Sequence, residues 1–132
     1  MMANLRHLVG LQRNGYEYLA SPYTKFPGGH QAAFDEVCRA AAWLLDRGLT
    51  VFSPVAHTHP IARHVMTPPT HRFWLDHDLP LLAAARGMIV YQMDGWDESA
   101  GIREEMEFAK GRGMPVLYLR RNENGYTLSE SA

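Results

Sequence analysis

Residues 88–105 read MIVYQMDGWDESAGIREE, and they are the most informative segment of the sequence. Its first four residues form an apolar run typical of a buried strand, and from Ser99 onward the apolar spacing is typical of a helix. The loop between them carries glycine, serine and carboxylate side chains. Ligands of open parallel α/β sheets bind at the carboxyl ends of the strands, so we expect a binding site in this loop.

The rest of the chain alternates strands and helices in the same way. The pattern predicts strands at 16–20, 49–52, 87–91 and 115–119, and helices at 31–47, 71–85 and 99–112. Such alternation implies right-handed crossovers and a small parallel sheet. We therefore expect a single α/β domain, a three-layer sandwich of the Rossmann or flavodoxin type.

Three further segments complete this interpretation. Residues 1–15 are expected to be an N-terminal extension without the apolar core of a signal peptide. Segment 55–70 is rich in proline and histidine and is expected to be a long loop. Residues 120–132 are expected to form a polar tail that is loose or held by a partner subunit.

Composition limits the possible classes of protein. With 132 residues, 46% of them hydrophobic, the chain can bury a core without the help of disulfides or a bound metal. Its single cysteine excludes an intrachain disulfide. The formal net charge of -1 argues against long nucleic acid or an anionic membrane as a partner. No apolar run approaches the roughly 20 residues that span a bilayer. We expect a cytoplasmic protein.

Helical geometry identifies two carboxylates that face inward. In the last helix Glu105 lies beside the apolar stripe, whereas Glu104 faces solvent and better fits the plain role of stabilising the helix dipole. In the preceding helix Asp78 lies within the apolar arc. Asp78 therefore has a hydrogen-bond partner or a raised pKa, or it caps a helix that breaks before Pro80.

Two inward carboxylates near strand ends suggest a nucleophile paired with an acid/base group. Glycosyl transfer uses such a pair economically, because one carboxylate attacks the anomeric carbon while a second acid helps the leaving group depart. The residues themselves thus favour an enzyme that breaks a glycosidic bond.

Three segments, in this order, resemble motifs of the nucleoside 2-deoxyribosyltransferase-like superfamily, and most of all its small bacterial members. They are Tyr18–Pro22, Asp78–Ala85 and Asp94–Glu105, within a resemblance that spans about residues 18–119. The resemblance implies a Rossmann-like fold and cleavage of the N-glycosidic bond of a nucleoside or nucleoside 5′-monophosphate, by hydrolysis or transfer. It also implies a homo-oligomer with composite sites.

The resemblance further implies roles for single residues. Glu105 would be the nucleophile on the sugar C1′, Asp78 would contact the sugar or assist base departure, and Tyr18 would orient the nucleophile. The substrate-binding residues would be Ser21, Pro22, Tyr23, Asp94, Ser99 and Gly101. The two serines and Gly101 would line the sugar or 5′-phosphate end, and Asp94 would lie on the base side or order its loop.

Two tryptophans flank the carboxylate segments. Trp96, in a polar loop, could stack on a base or cover the pocket, so it joins the predicted substrate-binding residues, although packing against another subunit explains it equally well. Trp74 is expected in the core.

The histidines and glycines leave alternatives open. The histidines of residues 57–77 lack metal-ligand spacing, which favours solvated or lid side chains over a metal site, although His71 could meet a phosphate. No dinucleotide-binding or P-loop motif is present, so no cofactor is expected. The rival classes are a non-catalytic nucleotide-binding or sensing module and a metal-dependent hydrolase that uses the histidines.

Overall fold

The computed structural model describes residues 15–132, so the predicted N-terminal extension lies outside the described residues except for Gly15. The described elements are β1 (Glu17–Ala20), α1 (His30–Asp46), β2 (Val51–Phe52), α2 (Pro54–Ala62), α3 (His71–Ala83), β3 (Gly87–Tyr91), α4 (Ala100–Gly111), β4 (Val116–Asn122) and β5 (Gly125–Ser129). A short 3-10 helix, Trp96–Glu98, lies between β3 and α4.

These strands form one sheet in the order β2-β1-β3-β4-β5. Strands β2, β1, β3 and β4 are parallel to one another, and β5 runs antiparallel to β4. All residues of β1 and β3 are buried, as central strands of a sheet covered on both faces must be. The predicted α/β sandwich of the Rossmann or flavodoxin type is therefore confirmed.

The sheet separates two apolar cores. Because successive side chains of a strand point to opposite faces, Leu19 packs with α1 on one face, whereas Tyr18 packs on the other with Leu82 of α3 and Ile102 of α4. This alternation directs Tyr18 toward the helix that carries Glu105. No helix within residues 15–132 is both long and apolar enough to cross a bilayer.

The first half of the predicted loop 55–70 is a helix, so that prediction is wrong there. Ser53 caps α2, since its Oγ accepts the Ala56 N–H at 3.0 Å, and Pro54 occupies the first turn, where its missing N–H costs nothing. The Ser-Pro pair therefore starts a helix in addition to ending a strand. Only residues 63–70 connect α2 to α3.

The prediction that residues 120–132 form a loose or partner-held tail is also wrong for most of that segment. Strand β4 continues to Asn122, and β5 folds back along it after a turn in which Gly125 takes a φ of 127°. Tyr126 then packs against Trp43 of α1, with ring centroids 5.3 Å apart. The chain's own core thus holds this segment.

Candidate active site

A cavity of about 520 Å³ lies beyond the carboxyl ends of the parallel strands. Its walls come from the loop after β1, from α2 and α3, and from the first turns of α4. The volume falls within the range of about 300–1,000 Å³ typical of small-molecule sites. Both inward carboxylates predicted from the sequence, Asp78 and Glu105, line this cavity.

Helix α4 sets the direction of Glu105. Ser99 caps the start of the helix, since its Oγ accepts the Ile102 N–H at 3.2 Å. Ile102 and Ala109 are buried against the sheet, and Glu105 lies three residues after the first and four before the second, so it shares their face. The Glu105 side chain is accordingly buried, as the periodicity predicted.

Tyr18 is the hydrogen-bond partner of Glu105. Its phenolic hydroxyl donates to Glu105 Oε2 inside the protein. Burial, reinforced by the charge of Glu105, raises the pKa of Tyr18, so the phenol stays protonated and acts as a donor. The predicted pairing of Tyr18 with the acidic residue is thus present in the geometry.

The ionisation of Glu105 is strongly perturbed. Burial raises its pKa to about 8; the Tyr18 hydrogen bond opposes this shift, while the charges of Asp78 and Glu104 add to it. At neutral pH the carboxyl is therefore largely protonated. Such perturbed carboxyls in cavities are typical of functional sites.

Asp78 is not a helix cap, because α3 continues past Pro80 to Ala83. Its side chain is only 16% exposed, and its Oδ1 lies 2.9 Å from Nδ1 of His77. Burial raises the pKa of Asp78, against the opposing influence of His77 and His57. Of the alternatives that the sequence left open, the structure shows a partnered carboxyl with a raised pKa.

The amino end of α4 and the loop after β1 both line the cavity. Ser99 and Gly101 line it where the first N–H groups of α4 are not used within the helix. Ser21 also lines the cavity, is 8% exposed, and its Oγ has no hydrogen-bond partner among the described residues. This part of the cavity offers donors suited to an anionic or hydroxyl group.

Three predicted substrate-binding residues lie elsewhere. Asp94 is exposed to solvent, and Pro22 is fully buried under the loop. Trp96 packs edge-to-face on Tyr118 at 6.4 Å, in the core on the α3–α4 side of the sheet. The left-handed turn at Gly95 and the short 3-10 helix direct the indole toward β4, so the prediction that Trp96 covers the cavity is wrong.

Sequence reasoning misplaced Trp74 and overlooked α2. Trp74 lines the cavity and meets Phe73 edge-to-face at 4.9 Å, so the expected core position is wrong. Tyr23, a predicted substrate-binding residue, lines the cavity, and its hydroxyl lies 2.7 Å from Nδ1 of His59 in α2. Recognising Ser53-Pro54 as a helix start would have brought this wall of the cavity into the prediction.

The histidines act as hydrogen-bond partners. His59 contacts Tyr23, His77 contacts Asp78, and the Nε2 atom of His71 lies 3.1 Å from Oε2 of Glu104. The Glu104 side chain is 41% exposed, so it faces solvent as the sequence predicted, with His71 beside it. Across residues 15–132, no three His, Cys, Asp or Glu side chains form a cluster that could hold a metal ion.

A buried carboxyl with a phenol partner, and a second carboxyl from the adjacent helix in the same cavity, can support nucleophilic or acid–base chemistry. No curated protein matches this sequence. A family model described as "Domain of unknown function (DUF1937)" matches residues 15–121, from the start of β1 into β4, a range that includes every segment lining the cavity. The chain therefore belongs to the DUF1937 family of domains of unknown function.

Proposed function

We propose that the protein cleaves the N-glycosidic bond of a nucleoside or nucleoside 5′-monophosphate, as a hydrolase or a deoxyribosyltransferase similar to the nucleoside 2-deoxyribosyltransferase-like enzymes. One observation carries the proposal: Glu105 is buried, bonded to Tyr18, and faces the same cavity as Asp78. The cavity volume of about 520 Å³ suits a ligand of nucleotide size.

In the proposed reaction the Glu105 carboxylate attacks C1′ of the sugar. The C1′–N bond breaks, its electron pair moves to the base nitrogen, and Asp78 gives that nitrogen a proton. Water or a second base then attacks C1′, releases Glu105, and returns a proton to Asp78. Tyr18 holds one oxygen of Glu105, which leaves the other free for the sugar.

The raised pKa of Glu105 fits this chemistry under one condition. The nucleophile must be ionised, and the positive charge that develops on the sugar in the transition state favours the carboxylate. In the protein alone, ionisation requires a pH approaching the pKa of about 8. The fraction of Glu105 that can act as the nucleophile therefore grows as the pH rises toward that value, as long as Asp78 still carries the proton that it donates.

The position of the donors suggests how the substrate is oriented. The amino end of α4, with Ser99 and Gly101, and the unpaired hydroxyl of Ser21 would receive the sugar or its 5′-phosphate. Tyr23 and Trp74 offer aromatic surface on the cavity walls for the base.

The test is incubation of the purified protein with a panel of nucleosides and nucleoside 5′-monophosphates, with free base measured by chromatography. We expect base release by the wild type, and loss of release in Glu105→Ala and Glu105→Gln. Glu107→Gln, an exposed carboxylate on the same helix, is the matched control and should keep full activity. Unchanged turnover in Glu105→Gln would show that Glu105 is not the nucleophile.

A second candidate is a nucleotide-binding or sensing module without catalysis. The pKa of about 8 favours it, because a largely protonated Glu105 at neutral pH can donate a hydrogen bond to a ligand. This candidate predicts calorimetric binding of a nucleotide at neutral pH without base release at any pH. Base release that depends on Glu105 would reject it.

A further inference from the structure

We propose that His77 is a positioning residue for Asp78: its imidazole holds Oδ1 of the carboxyl, His57 braces the imidazole, and Oδ2 is thereby presented to the departing base. This inference rests on the proposed function, in which Asp78 protonates the leaving group. Asp78 lines the cavity, whereas His77, which would set the orientation of its carboxyl, does not.

The contact between His77 and Asp78 is unusual for two neighbours on a helix. Adjacent helical side chains point about 100° apart and do not normally face each other. Here the His77 Nδ1 atom nevertheless lies 2.9 Å from Asp78 Oδ1. The histidine side chain is 42% exposed and the aspartate 16% exposed, so the imidazole lies between solvent and a half-buried carboxyl.

A second helix limits the movement of that imidazole. The ring of His57, from α2, lies nearly parallel to the ring of His77, with centroids 5.7 Å apart and planes 17° apart. His57 in turn packs on Phe52 at the end of β2, at 5.5 Å. The sheet and α2 together thus support the side chain that holds Asp78.

Asp78 has imidazole rings on the side that faces the surface and acidic groups on the side that faces the core. Two imidazoles, His77 and His57, lie toward the surface, whereas the carboxyl of Glu105 and the phenol of Tyr18 lie toward the core. With Oδ1 bonded to His77, the other oxygen remains for the cavity. Burial raises the pKa of Asp78, while the hydrogen bond and the charge of His77 oppose the rise.

In the proposed reaction His77 stabilises the Asp78 carboxylate but does not itself transfer a proton. When the C1′–N bond breaks, Asp78 gives its proton to the base nitrogen and becomes a carboxylate. The Nδ1–H of His77 then donates to the new negative charge at Oδ1, which stabilises it. The attacking water or second base later returns a proton to Asp78, so His77 is unchanged at the end of the cycle.

The test compares two substrates with the same sugar but different leaving groups. For a purine substrate these are the ordinary nucleoside and its N7-methyl derivative, whose base departs without a proton; for a pyrimidine substrate, the ordinary and the 5-fluoro nucleoside. His77→Phe keeps a ring beside His57 but loses the donor. His77→Asn keeps an amide N–H close to the position of Nδ1.

We expect His77→Phe to lower kcat on the ordinary nucleoside by about 10- to 100-fold, within the range of general-acid effects, with little change in KM. On the substrate with the better leaving group the loss should stay below about 3-fold, and His77→Asn should recover much of the lost rate. His64→Phe, on an exposed histidine in the 63–70 connection, is the control and should behave like the wild type. Circular dichroism and melting curves establish that each variant is folded.

Equal losses on both substrates would reduce His77 to a structural residue and overturn the inference. Unchanged kcat on both would do the same. In either case wild-type turnover would leave the proposed function intact. Absence of base release by the wild type would reject the proposed function, and the role of His77 with it.

Discussion

The phenolic hydroxyl of Tyr18, in β1, donates a hydrogen bond to Oε2 of Glu105, in the middle of α4. The two residues are 87 positions apart in sequence and meet in the core between the sheet and the α3–α4 layer. Burial and the charges of Asp78 and Glu104 raise the pKa of Glu105, and among the described residues the hydrogen bond from Tyr18 lowers it. Tyr18 therefore controls how much of Glu105 is ionised near neutral pH.

Tyr18→Phe should move the activity profile to higher pH. Loss of the donor raises the pKa of Glu105 further above about 8, so less carboxylate is present at neutral pH. We expect kcat/KM to fall about tenfold near pH 7, with a smaller loss in alkali, because one pKa unit changes the ionised fraction by about tenfold. The measurement is base release as a function of pH.

The matched control for this variant is Tyr91→Phe. Tyr91 is also a buried tyrosine bonded to a glutamate, since its hydroxyl donates to Glu36 Oε2 at 2.7 Å, but it packs in the core on the α1 side. Its loss should leave the pH profile of base release in place. An unchanged profile in Tyr18→Phe, or a shift toward acid, would contradict the role assigned to Tyr18.

Glu105 should make the folded protein less stable as the pH rises. Its pKa is about 8 in the folded state against an ordinary value of 4.5, so the folded protein binds one more proton than the unfolded chain between these values. This contribution to the free energy of unfolding is complete below pH 4.5 and disappears as the pH rises through 8, at up to about 1.4 kcal/mol per pH unit.

Urea unfolding of wild type and Glu105→Gln near pH 5.5 and near pH 7.5 measures this effect. The glutamine cannot ionise. From pH 5.5 to pH 7.5 the wild type should therefore lose on the order of 2 kcal/mol of unfolding free energy relative to Glu105→Gln. Glu107→Gln should show no comparable change. A stability difference that is constant with pH would mean that Glu105 is ionised in the folded protein at both values.

Much of the fold could be predicted because its signals are local. Strand β3 and helices α1, α3 and α4 follow from apolar periodicity, and the inward direction of Glu105 follows from the same rule. Helix α2 was missed because its prolines and histidines suggested a loop, although its start signal is also local. Strand β5 depends on the packing of Tyr126 against α1, which no short stretch of sequence reveals.

The site was less predictable because its geometry depends on distant residues. The pairing of Tyr18 with Glu105 needs the register of the sheet, and the resemblance supplied it where periodicity could not. The direction of Trp96 depends on the left-handed turn at Gly95. The histidine at Asp78 departs from helical neighbour rules, so the pattern gave no sign of it.

Ser21→Ala should separate stability from ligand binding. The Ser21 Oγ is buried without a partner among the described residues, so its removal should leave the free energy of unfolding unchanged or raise it, by about 1–3 kcal/mol at most. If the hydroxyl receives the substrate, KM should rise several-fold in the same variant. A melting temperature that falls together with an unchanged KM would contradict this reading of Ser21.

Glu36 should support the fold without supporting the reaction. This buried carboxylate of α1 accepts hydrogen bonds from Tyr91 and from Arg121 of β4, the latter at 3.1 Å, and forms an ion pair with Arg39 at 2.8 Å. Burial favours a higher pKa for Glu36, but these partners outweigh it and the pKa is lowered, so its contribution to stability is lost as the pH falls.

Glu36→Ala should therefore cost about 1–3 kcal/mol of unfolding free energy, because the Tyr91 hydroxyl loses its acceptor, with no change in kcat for base release. Arg39, whose side chain is 59% exposed, should cost under about 1 kcal/mol when replaced by alanine. Chemical denaturation of both variants checks this order. Equal losses of unfolding free energy in the two variants would mean that the stabilisation comes from the exposed Glu36–Arg39 ion pair and not from the buried hydrogen bond.

The most direct test of the nucleophile is to trap it. Fluorine at the sugar C2′ slows both steps of glycosyl transfer because it opposes the positive charge of each transition state, and a good leaving group such as 5-fluorouracil speeds only the first step, so the covalent intermediate accumulates. Mass spectrometry of the intact protein should show the added mass of one fluorinated sugar, located by peptide mapping on Glu105 and absent from Glu105→Gln. Base release with the label on another residue, or base release by Glu105→Gln at the wild-type rate, would contradict the assignment of Glu105 as the nucleophile.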